Sequence, residues 1–144
     1  MQFQRVNRED AEKVFSIFYN VAGATITSGY PAVWDISTSD GVRVSKPATA
    51  TLSLIVGVST QDVADSSYGK FQVYGYKSQG LLINATTAVA AGDIMIPVDA
   101  QWYLSRSAAS DGKSGFVYAG EAYASVTQTT LSAAALKKVF IRCL

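Results

Sequence analysis

Histidine is absent from this chain of 144 residues, and cysteine occurs once, at Cys143. Without histidine, the Ser-His-Asp triads and Cys-His dyads of many hydrolases are excluded. A single cysteine can neither complete a zinc site nor form a disulfide within the chain. Only carboxylate chemistry remains as a catalytic option, and we expect neither a metal nor a cofactor.

Charge is also scarce, since charged residues make up 16% of the sequence, against ~25% in typical globular proteins. Twelve basic and eleven acidic residues leave a net charge of +1, and Lys137-Lys138 is the only adjacent basic pair. We therefore predict no nucleic-acid partner, because no basic block is available to follow phosphates. The low charge itself has two open explanations: other subunits cover part of the surface, or the chain is a Ser/Thr-rich β protein.

Long apolar segments are missing as well. No stretch approaches the ~18 consecutive apolar residues of a membrane span, so we predict no membrane partner. The opening "MQFQRVNREDAEK" is charged and lacks the apolar centre of a signal peptide. We expect a protein that is made in a cytoplasm and kept there until it joins any larger assembly.

Short alternating segments dominate what is present. Near the start, helical spacing competes with a strict alternation of apolar side chains, the latter formed by Phe15, Ile17, Tyr19 and Val21. Because these residue types favour strands, we predict a helical turn over residues 7–12 and then a strand over residues 13–21.

Further strands are predicted from "VRV", "ATLSLIVGVST", "KFQVYGY", "LLINA", "IMI", "AQWYLS", "FVYAGEAYASV" and "KKVFIRCL", and "TLSAAAL" offers one more helical turn. Many short strands separated by Gly, Asp and Ser turns predict an all-β fold, a compact antiparallel β-barrel or sandwich with at most one or two helical turns. We divide the chain into an N-terminal arm, residues 1–12, and a single β domain, residues 13–144. The sequence shows no exact internal repeat beyond the recurrence of "SDG".

Glycines interrupt several of these segments. We predict structural roles for four of them: Gly57, Gly69, Gly75 and Gly92. In "KFQVYGY", Phe71 and Val73 share one face, and Gly75 occupies the next position on it. A glycine there permits a sharp bend or a close strand approach, so we predict that Gly75 tolerates no side chain.

Two alternatives exist for the acidic and aromatic residues. Asp62 with Asp65, and Asp93 with Asp99, are possible carboxylate pairs of a glycosidase, but aspartates beside glycine more often form turns. The aromatics Tyr74, Tyr76, Trp102, Tyr103 and Tyr118 are candidates for a sugar-binding platform. Strand aromatics more often lie in a core or a subunit interface. We therefore predict a subunit interface formed by Tyr74, Tyr76, Trp102 and Tyr103.

Four segments taken in order carry a resemblance: "NVAGATITSGYPAVWD", "LIVGVSTQDVADSSYGKFQVYGY", "AVAAGDIMIP" and "KKVFIRCL". This order resembles the small head decoration proteins, or cement proteins, of tailed bacteriophages. The similarity covers roughly Val14 to Arg142, and its central part is a glycine-rich "YGKFQVYGY" strand followed by a "VAAGD" turn.

The resemblance implies a non-enzymatic structural protein on the exterior of a virion, made in the host cytoplasm. Such proteins sit on the outer face of an assembled icosahedral shell, commonly as homotrimers, and bridge neighbouring copies of the major capsid protein. The alternatives are a head–tail connector or fibre component, a carbohydrate-binding module and, as a minor option, a cryptic hydrolase.

The N-terminal arm lies outside the clearest part of the similarity. It spaces Phe3 and Val6 between polar residues that include Arg5. An extended arm of this kind can add to the sheet edge of a neighbour, so we hypothesise that it contacts a neighbouring subunit or the capsid. The alternatives are a loose tail or an arm folded back on its own barrel.

Overall fold

The computed structural model describes residues 12–38, 40–83, 88–107, 116–123 and 134–143. Within these ranges the chain is all-β, which confirms the predicted fold class. Its nine strands are β1 Lys13–Asn20, β2 Pro31–Trp34, β3 Arg43–Ser45, β4 Ile55–Ser59, β5 Tyr68–Ile83, β6 Ile94–Pro97, β7 Leu104–Arg106, β8 Val117–Ala119 and β9 Ala135–Arg142. One 3-10 turn, Thr49–Thr51, precedes β4.

The strands close into two rings that share β5. In the first ring, β1 pairs with β3 in parallel, and β3, β2, β4 and β5 follow in antiparallel order before β5 pairs back to β1. In the second ring, β5 pairs with β7 in parallel, and β7, β6, β8 and β9 follow in antiparallel order before β9 pairs back to β5. The fold is therefore mainly antiparallel, with one parallel pair in each ring.

The two rings repeat one topology, and individual hydrogen bonds recur with it. Ile26 exchanges two backbone hydrogen bonds with Val63 in the first ring, and Val89 does the same with Tyr123 in the second. The amide of Gly29 donates to the carbonyl of Ser59, as Gly92 donates to Ala119. Gly29 and Gly92 both adopt φ +90°, a backbone conformation that favours glycine. The repeat is thus structural although the sequence shows none.

Each ring has its own buried cluster, and three side chains from the first ring's strands pack in the cluster of the second ring. The first ring encloses residues such as Phe18, Val44 and Phe71. The second encloses Met95, Leu104 and Ile141 together with three residues of the first ring's strands, Val33, Ile55 and Val58. Because those three valine and isoleucine side chains pack into the second cluster, the rings are joined by core packing as well as by β5.

Strand β1 lies where it was predicted, and its buried side is not the more apolar of its two alternating sets. Phe18 and Asn20 are buried, while Phe15 is 44% exposed and Ile17 57% exposed. The buried polar Asn20 is satisfied, since its side-chain amide donates to the carbonyls of Ala24 and Val63. Asn20 can therefore occupy the inner face, and the more apolar set of β1 faces outward.

Other boundaries also differ from the prediction. "KFQVYGY" and "LLINA" form one continuous strand, β5, rather than two, and the residues between them form an irregularity in the pairing with β9 instead of a turn. Ala135 and Leu136 belong to β9 rather than to a helical turn. The helical turn predicted over residues 7–12 lies almost entirely outside the described residues.

Candidate interaction surface

Three of the aspartates proposed for carboxylate pairs, Asp62, Asp65 and Asp93, have structural hydrogen bonds. Asp62 accepts from the amide of Ser28, and Asp65 accepts from the amide of Gly23, each at 2.9 Å. The carboxylate of Asp93 pairs with the Arg106 guanidinium at 2.9 Å and accepts from the amide of Ala90 at 2.7 Å. The contacts of Asp62 and Asp65 join separate loops. Asp93, which is beside Gly92, holds a turn, as its glycine neighbour indicated.

Two further places hold groups that could react or bind. Burial raises the pKa of Cys143 to about 12, so its thiolate, the nucleophilic form, is scarce at neutral pH. A shallow groove is lined by Tyr19, Asp40, Val42, Arg43 and Tyr68. There, Asp40 forms an ion pair with Arg43 at 2.9 Å, and the backbone amide of Val42 lowers the pKa of Asp40. Across the described ranges, no group of three or more His, Cys, Asp or Glu residues could hold a metal ion.

The four glycines singled out in the sequence occupy three kinds of site. A β-carbon at Gly57 would meet the carbonyl of Gln72, and one at Gly69 would meet the side chain of Val63. Gly75 combines φ +96° with a backbone carbonyl, that of Glu12, where its β-carbon would lie. Gly92 has open space around it and is needed only for its positive φ.

Trp102 and Tyr103 do not lie where a subunit interface needs them. They are 8% and 5% exposed, and Trp102 stacks on Tyr30 with ring centroids 5.4 Å apart within the first ring's cluster. Both belong to the chain's own core, which leaves them almost no surface for a second copy. Tyr74 and Tyr76 remain half-buried on the outer side of β5, so the predicted set is not brought together.

The structure instead gathers a different set of residues on the outer side of three adjacent strands. At its middle, β5 is flanked by β1 on one side and β9 on the other. Exposed apolar side chains stand on each strand: Phe15 and Ile17 on β1, Tyr68 on β5, and Phe140 on β9. Cross-strand pairing places Ile17 opposite Lys70 and Tyr76 opposite Phe140.

Basic side chains surround these apolar residues. Strands β1, β5 and β9 carry Lys13, Lys70, Lys77, Lys137, Lys138 and Arg142 and no acidic residue. The ammonium of Lys70 lies 5.1 Å from the ring centre of Phe15, within the range of a cation–π contact. We call this surface the aromatic-basic face and define it by Phe15, Ile17, Tyr68, Lys70, Phe140 and Arg142.

Carboxylates occur only at the margins of this face in the described part of the chain. Glu12 directly precedes β1, and Glu121, after β8, accepts from the backbone amide of Lys138 at 2.8 Å. The described aspartates lie in the loops between strands, and one of them, Asp40, lines the groove beside Tyr68, where it pairs with Arg43. The face therefore has a positive, partly apolar surface although the whole chain is nearly neutral.

Sequence reasoning did not assign Phe15, Ile17, Tyr68 and Phe140 to the surface, because alternation marks a strand without showing which of its sides is exposed. A usable signal was the basic residues Lys13 and Arg142, which fall in the same alternating sets as Phe15 and Phe140. Phe3, Arg5 and Val6 of the predicted arm lie outside the described residues.

In the part of the chain that the structure describes, no helix has the length and apolar character to span a bilayer. Comparison with protein-family models and with curated proteins finds no match for this chain.

Proposed function

We propose that this protein is a structural virion protein that binds the outer face of an assembled icosahedral capsid and bridges neighbouring capsid subunits. The observation that carries the proposal is the aromatic-basic face, which exposes large apolar side chains on a rigid sheet. Several large apolar side chains exposed on one side of a sheet are typical of a site of interaction with another macromolecule. The sequence resemblance to phage decoration proteins supplies the identity of the partner, the major capsid protein.

The proposed mechanism is stabilisation by mass action. A protein that binds only the assembled lattice lowers the free energy of that lattice relative to its free subunits. A specific contact needs ~1,000 Å² or more of buried surface. A homotrimer engages several sites at once, so modest individual contacts add to a firm attachment.

The test is the copy number of this chain on purified virus particles, measured by quantitative mass spectrometry against the major capsid protein. A decoration protein binds at every symmetry-equivalent position of the shell, so it is present in hundreds of copies. A count near a dozen would identify a head–tail connector or fibre component instead. Absence from particles would reject the virion assignment and favour the carbohydrate-binding alternative.

The N-terminal arm provides a second test of the same proposal. The described strands all have partners on both sides, so the two rings offer no long free edge for an arm to extend. An arm contact would therefore follow a surface rather than complete a sheet. Deletion of residues 1–12 is expected to leave the circular dichroism spectrum intact and to weaken retention on particles. Unchanged retention would reject the arm contact but not the decoration role.

A further inference from the structure

Exposed apolar residues at the aromatic-basic face are not a requirement of the fold. The structural repeat supplies the comparison, because the second half of β5 takes the place of β1 in the second ring. Counting back from the equivalent pairs Ile26–Val89 and Gly29–Gly92, the counterparts of Phe15 and Ile17 are Ser78, which is exposed, and Gly80, which is buried. The first ring presents Phe15 and Ile17 at 44% and 57% exposure. The shared topology therefore does not need a large apolar side chain at either position, although Leu136 on β9 is also 48% exposed.

The basic residues of the aromatic-basic face indicate which class of partner it can bind. Lys70 and Arg142 extend from strands that carry no carboxylate. A second copy packed face to face would place these like charges together, which is unfavourable. A partner with carboxylates around an apolar centre would match both features, since interfaces combine an apolar core with a polar rim.

A nucleic acid is the competing polyanion, and the side chains argue against it. Single-stranded nucleic acids bind to aromatic platforms lined by basic residues. Here the Phe15 ring has Lys70 over it at 5.1 Å, and Tyr74 packs edge-on against Phe140 with centroids 5.7 Å apart. Ile17 is aliphatic, so it has no flat surface on which a base could stack.

We propose that the aromatic-basic face docks an acidic protein surface, with Phe15 and Ile17 at the contact centre and Lys70 and Arg142 pairing with carboxylates at its rim. The identity of that partner as the capsid exterior rests on the proposed function. The chemistry of recognition does not, because it follows from the residues of the face alone.

The experiment measures binding of the full chain to three probes by fluorescence anisotropy. The probes are a labelled random copolymer of glutamate and tyrosine, its lysine–tyrosine counterpart and a labelled thymidine oligonucleotide. Two double variants test the face: Lys70→Gln with Arg142→Gln, and Phe15→Ser with Ile17→Ser. All four positions are on the surface, and circular dichroism with thermal unfolding verifies that each variant is folded.

Matched controls carry the same changes elsewhere on the molecule. Lys46→Gln with Arg106→Gln removes the same charge from two positions outside the face, one beside Trp102 and one in an ion pair with Asp93. Ile36→Ser removes an apolar side chain that is 54% exposed in a different region.

We expect the chain to bind the acidic copolymer and not the basic one. Both face variants should weaken that binding by about tenfold or more, as removal of paired charges or central anchors does at interfaces, and both controls should leave it unchanged. Equal losses in the controls, or no binding to the acidic copolymer, would overturn the proposal. Tighter binding to the oligonucleotide through Lys70 and Arg142 would make the face a nucleic-acid surface. Sedimentation showing self-association that the face variants abolish would make the occupant a second copy. Either result refutes the acidic partner, and neither depends on the copy number measured on particles.

Discussion

At the scale of single residues, Gly75 is the position with the least tolerance for change. Its φ of +96° and the carbonyl of Glu12 both oppose a β-carbon. We predict that Gly75→Ala lowers the free energy of unfolding by about 3 kcal/mol, from overpacking and left-handed backbone strain together. Chemical denaturation measures this difference.

Gly41 provides the matched control, because its φ is +70° but nothing lies within 4 Å of the position that a β-carbon would take. Gly41→Ala should cost only the backbone strain, about 1 kcal/mol. Equal costs at the two positions would show that the close approach of β1 and β5 at Gly75 adds nothing.

Lys77 introduces a pH dependence. Burial lowers its pKa, and the charge of Lys13 lowers it further. Its half-buried side chain lies on β5, opposite Val139. Since the folded state binds this proton less tightly than the unfolded chain does, the contribution of Lys77 to the free energy of unfolding rises with pH between its lowered pKa and its ordinary value.

We therefore predict that Lys77→Met melts at a higher temperature than the parent chain at pH 7. The advantage should shrink as the pH approaches the ordinary lysine pKa of ~10.4, where the parent no longer has to bury the charge. Thermal unfolding across that pH range measures it. Lys70→Met, at an exposed position of the same strand, should show no such trend; a similar trend there would contradict the burial argument.

At the scale of elements, a buried amide bonds to the backbone of β5 on both sides of Gly75. Gln72 is 3% exposed, and its Nε2 donates to the carbonyls of Tyr74 and Tyr76 at 3.1 and 3.0 Å. Gly75, with its φ of +96°, lies between these two acceptors. Replacement by an apolar side chain would leave both carbonyls without this donor.

We predict that Gln72→Leu lowers the free energy of unfolding by about 2 kcal/mol, the cost of unpaired buried polar groups. Gln79→Leu, on an exposed position of the same strand, should change it little. Denaturant titration of both variants provides the measurement. A neutral result for Gln72→Leu would mean that solvent or another donor replaces the amide.

The positions of several strands could be predicted from the sequence, but the side of each strand that is buried could not. Alternation located β1, β3 and β6 because the period of a strand is a local property. The buried side of β1 depends on the distant Val63 carbonyl that satisfies Asn20, which no local pattern contains. The burial of Trp102 was not predictable for the same reason, since its stacking partner Tyr30 is far away in sequence.

The candidate surface was still harder to predict. Residues of the aromatic-basic face come from three strands that become neighbours only when both rings close. Charged residues are spread evenly along the sequence, whereas in the folded chain basic residues without acidic neighbours lie together on β1, β5 and β9. The special role of Gly75 could be predicted from the sequence, because a glycine inside a strand pattern by itself indicates a bulge, a bend or a close backbone approach.

At the scale of the whole molecule, the rings are expected to unfold together. Val33, Ile55 and Val58 belong to strands of the first ring but pack in the cluster of the second, and β5 belongs to both rings. We predict one cooperative transition. Leu104→Ala, fully buried in the second ring, should lower the free energy of unfolding by about 3 kcal/mol.

Trp34 makes this testable, because it lies on β2 and packs in the first ring's cluster. Trp102 lies between β6 and β7, so it is replaced by phenylalanine in both the parent and the variant. If unfolding is cooperative, Leu104→Ala shifts the transition seen by tryptophan fluorescence as far as the transition seen by far-UV circular dichroism. A fluorescence midpoint that stays at the parental value would show that the first ring survives when the second is lost.

The shared strand also orders events during synthesis of the chain. All five strands of the first ring precede β6, and the pairing of Lys13 with Gly75 can form once the first half of β5 has left the ribosome. The strands of the second ring follow over several seconds at typical rates of translation. During that interval Val33, Ile55 and Val58 have no covering partner. The newly made first ring therefore exposes an apolar surface. The C-terminal half of the chain, which is synthesised last, covers that surface when the second ring forms.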